Sequence, residues 1–216
     1  MGPQPLLYTY YRSSAAWRVR IALALKGLPY EAIPIHLRKH EQEAPRYRAL
    51  NPQGLVPMLQ DGDHFISQSI AIIEYLDEVH PQPPLLPSTA LARARVRQLA
   101  LTIACDIHPL NNLRVELYLK NQLGIDQAAR AVWQRHWMNE GFAALETLLA
   151  HSAETGRYCH GDTPSLADLC LVPQLGNARR NDLDLSPYPT ILAIEAACNA
   201  HPAFAAAQPA RQADAE

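Results

Sequence analysis

The sequence predicts a chain in two parts, an α/β half followed by an all-helical half, and three observations carry that prediction. Residues 6–37 read as a strand, a helix and a strand; the pair Asp61-Gly62 then signals a hairpin ahead of another helix; and beyond the proline-rich stretch 80–88 every apolar pattern has helical spacing. Pro81, Pro83, Pro84 and Pro87 exclude both helix and central strand there, so the stretch reads as a linker. The halves are accordingly assigned to residues 1–87 and 88–216.

Residues 8–27 organise the first half. Leu6, Leu7, Tyr8, Thr9, Tyr10 and Tyr11 form an aromatic, β-prone run that breaks at Arg12-Ser13-Ser14. Trp17, Ile21 and Leu25, with Val19, Ala22 and Leu23, follow at helical spacing and predict an amphipathic helix capped by Ser13 or Ser14. A strand that runs straight into a helix N-terminus aims unpaired N–H groups and the positive end of the dipole at whatever lies above the turn. A hydroxyl there can cap the helix or hydrogen-bond a thiolate, and capping is the commoner use. Arg12, taken alone, is a charge that water can satisfy.

Gly27 and Pro29 stop this helix, and residues 30–37 predict a second strand, with Pro34 placing it at an edge. Strand, helix and strand imply a parallel pair. Residues 38–50 are charged and predict a short exposed helix. Residues 56–59 and 64–66 flank the Asp-Gly turn. Pro57 stands just inside a strand, which requires a cis peptide or an outward-facing position. A cis bond would leave the Val56 backbone free to pair with a peptide-like ligand by strand addition. Gln68-Ser69 then opens a helix over residues 70–79, a second N-terminus suited to a carboxylate.

In the second half, residues 90–105, 115–123, 126–149 and 166–175 predict helices. Ser165 and Asp168 match a capping box and are read as structural. The small, polar residues from Ala205 onward predict a frayed tail.

A formal charge of -2, without basic runs, excludes an electrostatic footprint for nucleic acid or for a membrane surface. Cys105, Cys159, Cys170 and Cys198 lack CxxC spacing and read as free, buried thiols; the histidines show no metal rhythm, so no metal is assigned. No cysteine stands between Ser13 and Ala16, which argues against a disulfide reductase. Residues 1–7 carry no leader pattern, and no stretch approaches a bilayer span, so a cytoplasmic location is expected.

Six stretches, in order, carry a resemblance: SSAAWRVRIALALKG, ALNPQGLVP, QSIAIIEYLDE, the short LLP, GDTPSLADLCLVPQ and DLSPYPTI. Their order and spacing over roughly residues 5–205 resemble the cytosolic glutathione transferases, with a thioredoxin-like first half, and the first stretch resembles the zeta-class signature SSCSWRVRIAL. The resemblance implies glutathione as cofactor, a small dicarboxylic substrate and a homodimer. It also implies glutathione-dependent cis–trans isomerisation of maleyl compounds, typically maleylacetoacetate, by thiolate addition, bond rotation and elimination. A bacterial relative acts on maleylpyruvate instead.

Carried over residue by residue, the resemblance assigns the thiol-stabilising role to Ser13 or Ser14, with Ser13 preferred. It assigns the cysteinyl backbone to Val56 before Pro57, the γ-glutamyl carboxylate to Gln68 and Ser69, and the glycyl end to Gln42. His108 and Asn112 match glutathione-contacting positions. Arg180 matches an arginine that holds the substrate carboxylate, and Arg12 stands where the maleylpyruvate enzyme uses one. Ala15 and Ala16 replace the Cys and Ser of the signature, which keeps a binding-only protein and a general transferase of electrophiles as alternatives. Leu113 stands where the maleylpyruvate enzyme carries an arginine, which favours maleylacetoacetate.

Overall fold

The structure, a computed structural model, describes residues 4–216; residues 1–3, the start of the stretch read for a leader pattern, lie outside the described residues. The chain divides into two compact units, one formed by the chain through Leu85 together with Asn199–Glu216, the other by Leu86–Cys198.

The first unit is built on a four-stranded sheet. β1 (Leu6–Thr9) pairs in parallel with β2 (Glu31–Pro34) and antiparallel with β3 (Met58–Asp61), which pairs antiparallel with β4 (His64–Ser67). β2 lies at an edge, where Pro34 removes no ladder bond that a neighbour needs. Asp61 pairs with His64, so the Asp-Gly signal closes a two-residue hairpin. Between β1 and β2 runs α1 (Ser14–Leu25); α2 (Pro45–Arg48) precedes β3, and α3 (Ser69–Val79) follows β4.

Three expectations need correction here. α1 is not amphipathic: Ala16 through Leu23 are all buried, because α3 packs on one side and α9 (Pro202–Ala206) on the other. Residues 38–50 do not form one exposed helix. Left-handed backbone at His40 (φ 60) and Pro45 at the start of α2 divide them into two 3₁₀ turns and a four-residue helix, and Gln42 and Tyr47 are buried. The segment from Ala205 is not frayed, and residues 199–216 belong with the first unit, not with the helical one. Phe204 and Ala207 are buried, and Arg20 of α1 donates to the Ala207 carbonyl at 3.2 Å.

The second unit comprises α4 (Ala90–Leu101), α5 (Leu113–Asn121), α6 (Gln127–Ala150), α7 (Leu166–Arg180) and most of α8 (Pro189–Asn199). α7 is its core, buried from Leu166 through Leu175. Ser165 and Asp168 form the expected capping box. The helix predicted over residues 90–105 does not end there: α4 passes into a π-helical stretch (Thr102–Ile107) and a 3₁₀ turn (His108–Asn111). Gly141 of α6 permits the packing, since a Cβ at that position would stand 2.2 Å from the Ile107 side chain. Cys159, Cys170 and Cys198 are buried and outside any disulfide as expected, whereas Cys105 is exposed because it lies on the outer side of the π-helical stretch.

Candidate active site

The turn ahead of α1 is closed by the Ser13 N–H on the Tyr10 carbonyl at 3.0 Å. Ser13 Oγ accepts the Ala16 N–H at 3.2 Å, which makes Ser13 the N-cap of α1. One hydroxyl accepts through its lone pairs and still has one proton to donate, so capping and donation to an anion do not compete. Ser14, at the first helical position, is 5% exposed, while Ser13 and Arg12 are half-buried. Of the two serines, Ser13 therefore has the more accessible hydroxyl.

Beside this turn, Tyr10, Tyr11, Ile35, Tyr47, Val56 and Met58 pack as one cluster. The Tyr47 hydroxyl donates to the Leu55 carbonyl at 2.6 Å, and Asn51 Nδ2 donates to the same oxygen at 2.8 Å. Burial pushes the Tyr47 hydroxyl up to about 12, so it remains protonated and a donor. These two bonds hold the approach to the Val56-Pro57 peptide, which is cis. No hydrogen bond joins the N–H or C=O of Val56 to another described residue, although Val56 is only 8% exposed. Buried backbone groups are rarely left unpaired, which marks the position as one that a ligand can complete. Gln42 Oε1 is likewise buried without a partner among the described residues. Gly54 has φ 61 and lets the chain pass its backbone close to Gln42, where a Cβ would meet the Gln42 carbonyl at 2.9 Å.

At the start of α3, Gln68 holds φ 72 and ψ 115. That backbone region costs a non-glycine residue about 1–3 kcal/mol and recurs at ligand clamps. Its side chain is tied to Gln53 at 2.9 Å. Ser69 is buried, and its Oγ accepts from Arg18 Nη1 of α1 at 3.2 Å. The free amides of the helix and a buried guanidinium behind the serine give this corner a positive field, suited to a carboxylate.

In the helical unit, His108 follows the π-helical stretch, a feature frequent at functional sites. Its Nε2 lies 3.4 Å from Asn112 Nδ2, and Asn112 caps α5 by accepting the Arg114 N–H at 3.1 Å. Leu113 is half-buried at the first position of α5, and Arg114 is exposed. In the Arg179-Arg180 pair the two members differ. Arg179 is committed to Glu195 through both terminal nitrogens, the second at 2.6 Å, while Arg180 stays exposed with Nη2 3.4 Å from Asn177 Oδ1. Behind it stands an amide series that sequence reasoning missed: Asn177 Nδ2 lies 3.5 Å from Asn111 Oδ1, which also accepts from Gln174 Nε2 at 3.0 Å. The structure thus brings Arg12 and Ser13 together in one turn, Gln68 and Ser69 at one helix start, and His108 and Asn112 at one helix junction.

Two domain families match the chain, glutathione S-transferase, N-terminal domain, over residues 7–84 and glutathione S-transferase, C-terminal domain, over residues 126–206. A probable maleylacetoacetate isomerase of Vibrio cholerae is 51% identical over 212 residues, covering 97% of this chain and 98% of the relative. The chain belongs to the glutathione S-transferase family. Among solved structures, a holo maleyl pyruvate isomerase described as a bacterial zeta-class glutathione transferase superposes with TM-score 0.96 at 50% identity, covering 98% of this chain and 100% of that one. A maleylacetoacetate isomerase of Methylobacterium extorquens, solved with malonate and glutathione, gives 0.95 at 42% identity, covering 98% and 99%. These relatives place the chain in the zeta class of the family.

Arg18 and Arg20 also escaped the sequence reading as site-supporting groups. A signal was available: two arginines stand in an apolar helix with no acidic residue in its first turn, on opposite faces. Burial of both at 2% or less required a helix covered on both sides.

Proposed function

We propose that this protein is a glutathione-dependent cis–trans isomerase of maleyl compounds, with maleylacetoacetate the preferred substrate. The observation that carries the reading is the Val56 backbone, unpaired among the described residues before the cis Pro57, in one cluster with the tyrosines of the Ser13 turn. It fits a peptide-like ligand added as a strand. The Gln68-Ser69 corner fits that ligand's α-carboxylate, and the unpartnered Gln42 oxygen fits a donor near its other end. The solved relative that holds glutathione supports the same choice of cofactor.

Bound glutathione would supply a nucleophilic thiolate that adds reversibly to a conjugated double bond. Ser13 donates its remaining hydroxyl proton toward that sulfur, and the α1 N-terminus favours the anion. Arg12, beside Ser13, is suited to hold a carboxylate of the dianionic substrate and to offset charge that develops on it, and Arg180 keeps the carboxylate-holding role that the resemblance assigns it. Ala15, where the signature has Cys, takes no part in this scheme. The half-buried Leu113 favours maleylacetoacetate, since no guanidinium occupies that position. We further infer a homodimer that works in the cytoplasm.

The test is the loss of substrate absorbance for maleylacetoacetate and for maleylpyruvate, each with and without glutathione. Glutathione-dependent loss that favours maleylacetoacetate is expected. Preference for maleylpyruvate overturns the substrate choice, and glutathione binding without turnover overturns the enzyme. Ser13→Asp preserves the cap but has no proton to donate, so it should fold and lose about a hundredfold in kcat/KM.

A further inference from the structure

Asp214 Oδ2 accepts the Tyr11 N–H at 2.9 Å across 203 positions of sequence. Tyr11 is the second residue of the turn closed by Tyr10 and Ser13, and a β-turn leaves the N–H of that position without a partner of its own. The Ser13 N–H holds the carbonyl of the Tyr10–Tyr11 peptide, and Asp214 holds its N–H, which no local group reaches. The other side of the turn is gripped by Arg20, whose Nη1 donates to the Tyr10 carbonyl at 3.3 Å and whose Nη2 donates to the Tyr11 carbonyl at 3.0 Å. The same guanidinium reaches the Ala207 carbonyl through Nε at 3.2 Å, so it lies between the turn and the segment that bears Asp214. That segment is itself folded: Gln212 Nε2 donates to the carbonyls of Ala206 (3.2 Å) and Gln208 (2.9 Å).

We infer that Asp214 is a positioning residue for the reaction proposed above, its carboxylate fixing the Tyr11 peptide and with it the presentation of Arg12 and the Ser13 hydroxyl. The inference rests on that reading of Arg12 and Ser13. Asp214 touches neither substrate nor cofactor. A charged acceptor on a peptide N–H is a stronger restraint than a neutral one, and its loss releases the N–H side of this peptide, the side that no local bond holds. Arg20 stands beside the carboxylate, so the anion adds little net repulsion to a thiolate nearby.

The test compares Asp214→Ala with Asp214→Asn in the full chain, by kcat/KM on the maleyl substrate, by ultraviolet titration of the bound glutathione thiolate and by melting temperature. Asn retains an oxygen for the Tyr11 N–H. Asp214→Ala should lose about tenfold in kcat/KM, with the thiolate titrating at higher pH, and Asp214→Asn should recover most of that loss. An alanine variant with wild-type kcat/KM and titration overturns the role. So does a folded asparagine variant that loses tenfold, because charge alone would then be acting. If the alanine variant does not fold, Asp214→Asn decides, and it must stay within about threefold of wild type. A wild-type protein that binds no glutathione or turns over no maleyl substrate defeats the function itself; an active wild type with an unaffected alanine variant defeats only Asp214.

Discussion

α1 and α7 are the buried helices of their two units, and each carries charge away from water, but they use it in opposite ways. Arg20 of α1 is 1% exposed and gathers carbonyls, those of Tyr10, Tyr11 and Ala207, besides the Thr9 hydroxyl. Asp168 of α7 is fully buried and gathers donors, the N–H groups of Cys159 and Ser165 and the Ser165 hydroxyl, each at 2.8 Å. Neither charge relies on a buried ion pair; hydrogen bonds replace its hydration. Burial pulls the Arg20 guanidinium down to about 10, so it stays protonated at neutral pH, with Tyr30 and Asp214 working against the fall. Burial pushes the Asp168 carboxyl up, and its hydrogen bonds from Cys159 and Ser165 pull it back. The contrast lies in reach: the N–H and O–H donors of Asp168 lie within nine positions of sequence, and the Cys198 thiol at 4.0 Å lies 30 away, whereas Arg20 joins α1 to a carbonyl 187 positions away. A buried charge here organises loops. α7 organises its own approach, and α1 organises a distant segment together with the turn that precedes the helix.

The largest effect is expected from Asp168→Ala, which strands three buried donors and should cost about 3–5 kcal/mol in chemical denaturation. Arg20→Met keeps the bulk and strands carbonyls, which tolerate it better, so about 2–3 kcal/mol is expected. It should also speed hydrogen exchange at the Tyr11 amide, which Asp168→Ala should leave unchanged. Equal costs for the two variants, or an unchanged Tyr11 amide in Arg20→Met, would break the comparison.

The smallest effect concerns Glu216, whose carboxyl is held below its ordinary range by the hydrogen bond to His36, with Lys39 adding to it. A depressed acid stabilises the fold above its unfolded value and loses that contribution as pH falls through the folded one. The melting-temperature difference between wild type and Glu216→Gln should therefore be present at pH 6 and shrink as the pH falls below the ordinary glutamate value of about 4.3. A difference that persists at low pH would show that Glu216 acts by packing.

The reach of each contact also explains what could be read in advance. The Ser165–Asp168 capping box, the Asp61-Gly62 hairpin, the Ser13 cap and the cis peptide at Val56-Pro57 each follow from a few neighbouring residues. The left-handed turn at His40, the π-helical stretch before His108 and the strained backbone of Gln68 left weaker traces, because no residue type at those positions demands the conformation.

By itself, then, the sequence determined the order of elements, the serine at the head of α1, the proline that turns the chain at Val56 and the family to which the chain belongs. Only the tertiary structure decided that α1 is covered on both faces, that Arg18 stands behind Ser69, that Arg179 and not Arg180 is spent on Glu195, and that residues 199–216 return to grip the Tyr10–Ser13 turn. The first set rests on bonds between near neighbours, whose geometry local residue types dictate. The second rests on pairs joined across long loops, where only the folded chain brings donor and acceptor within reach.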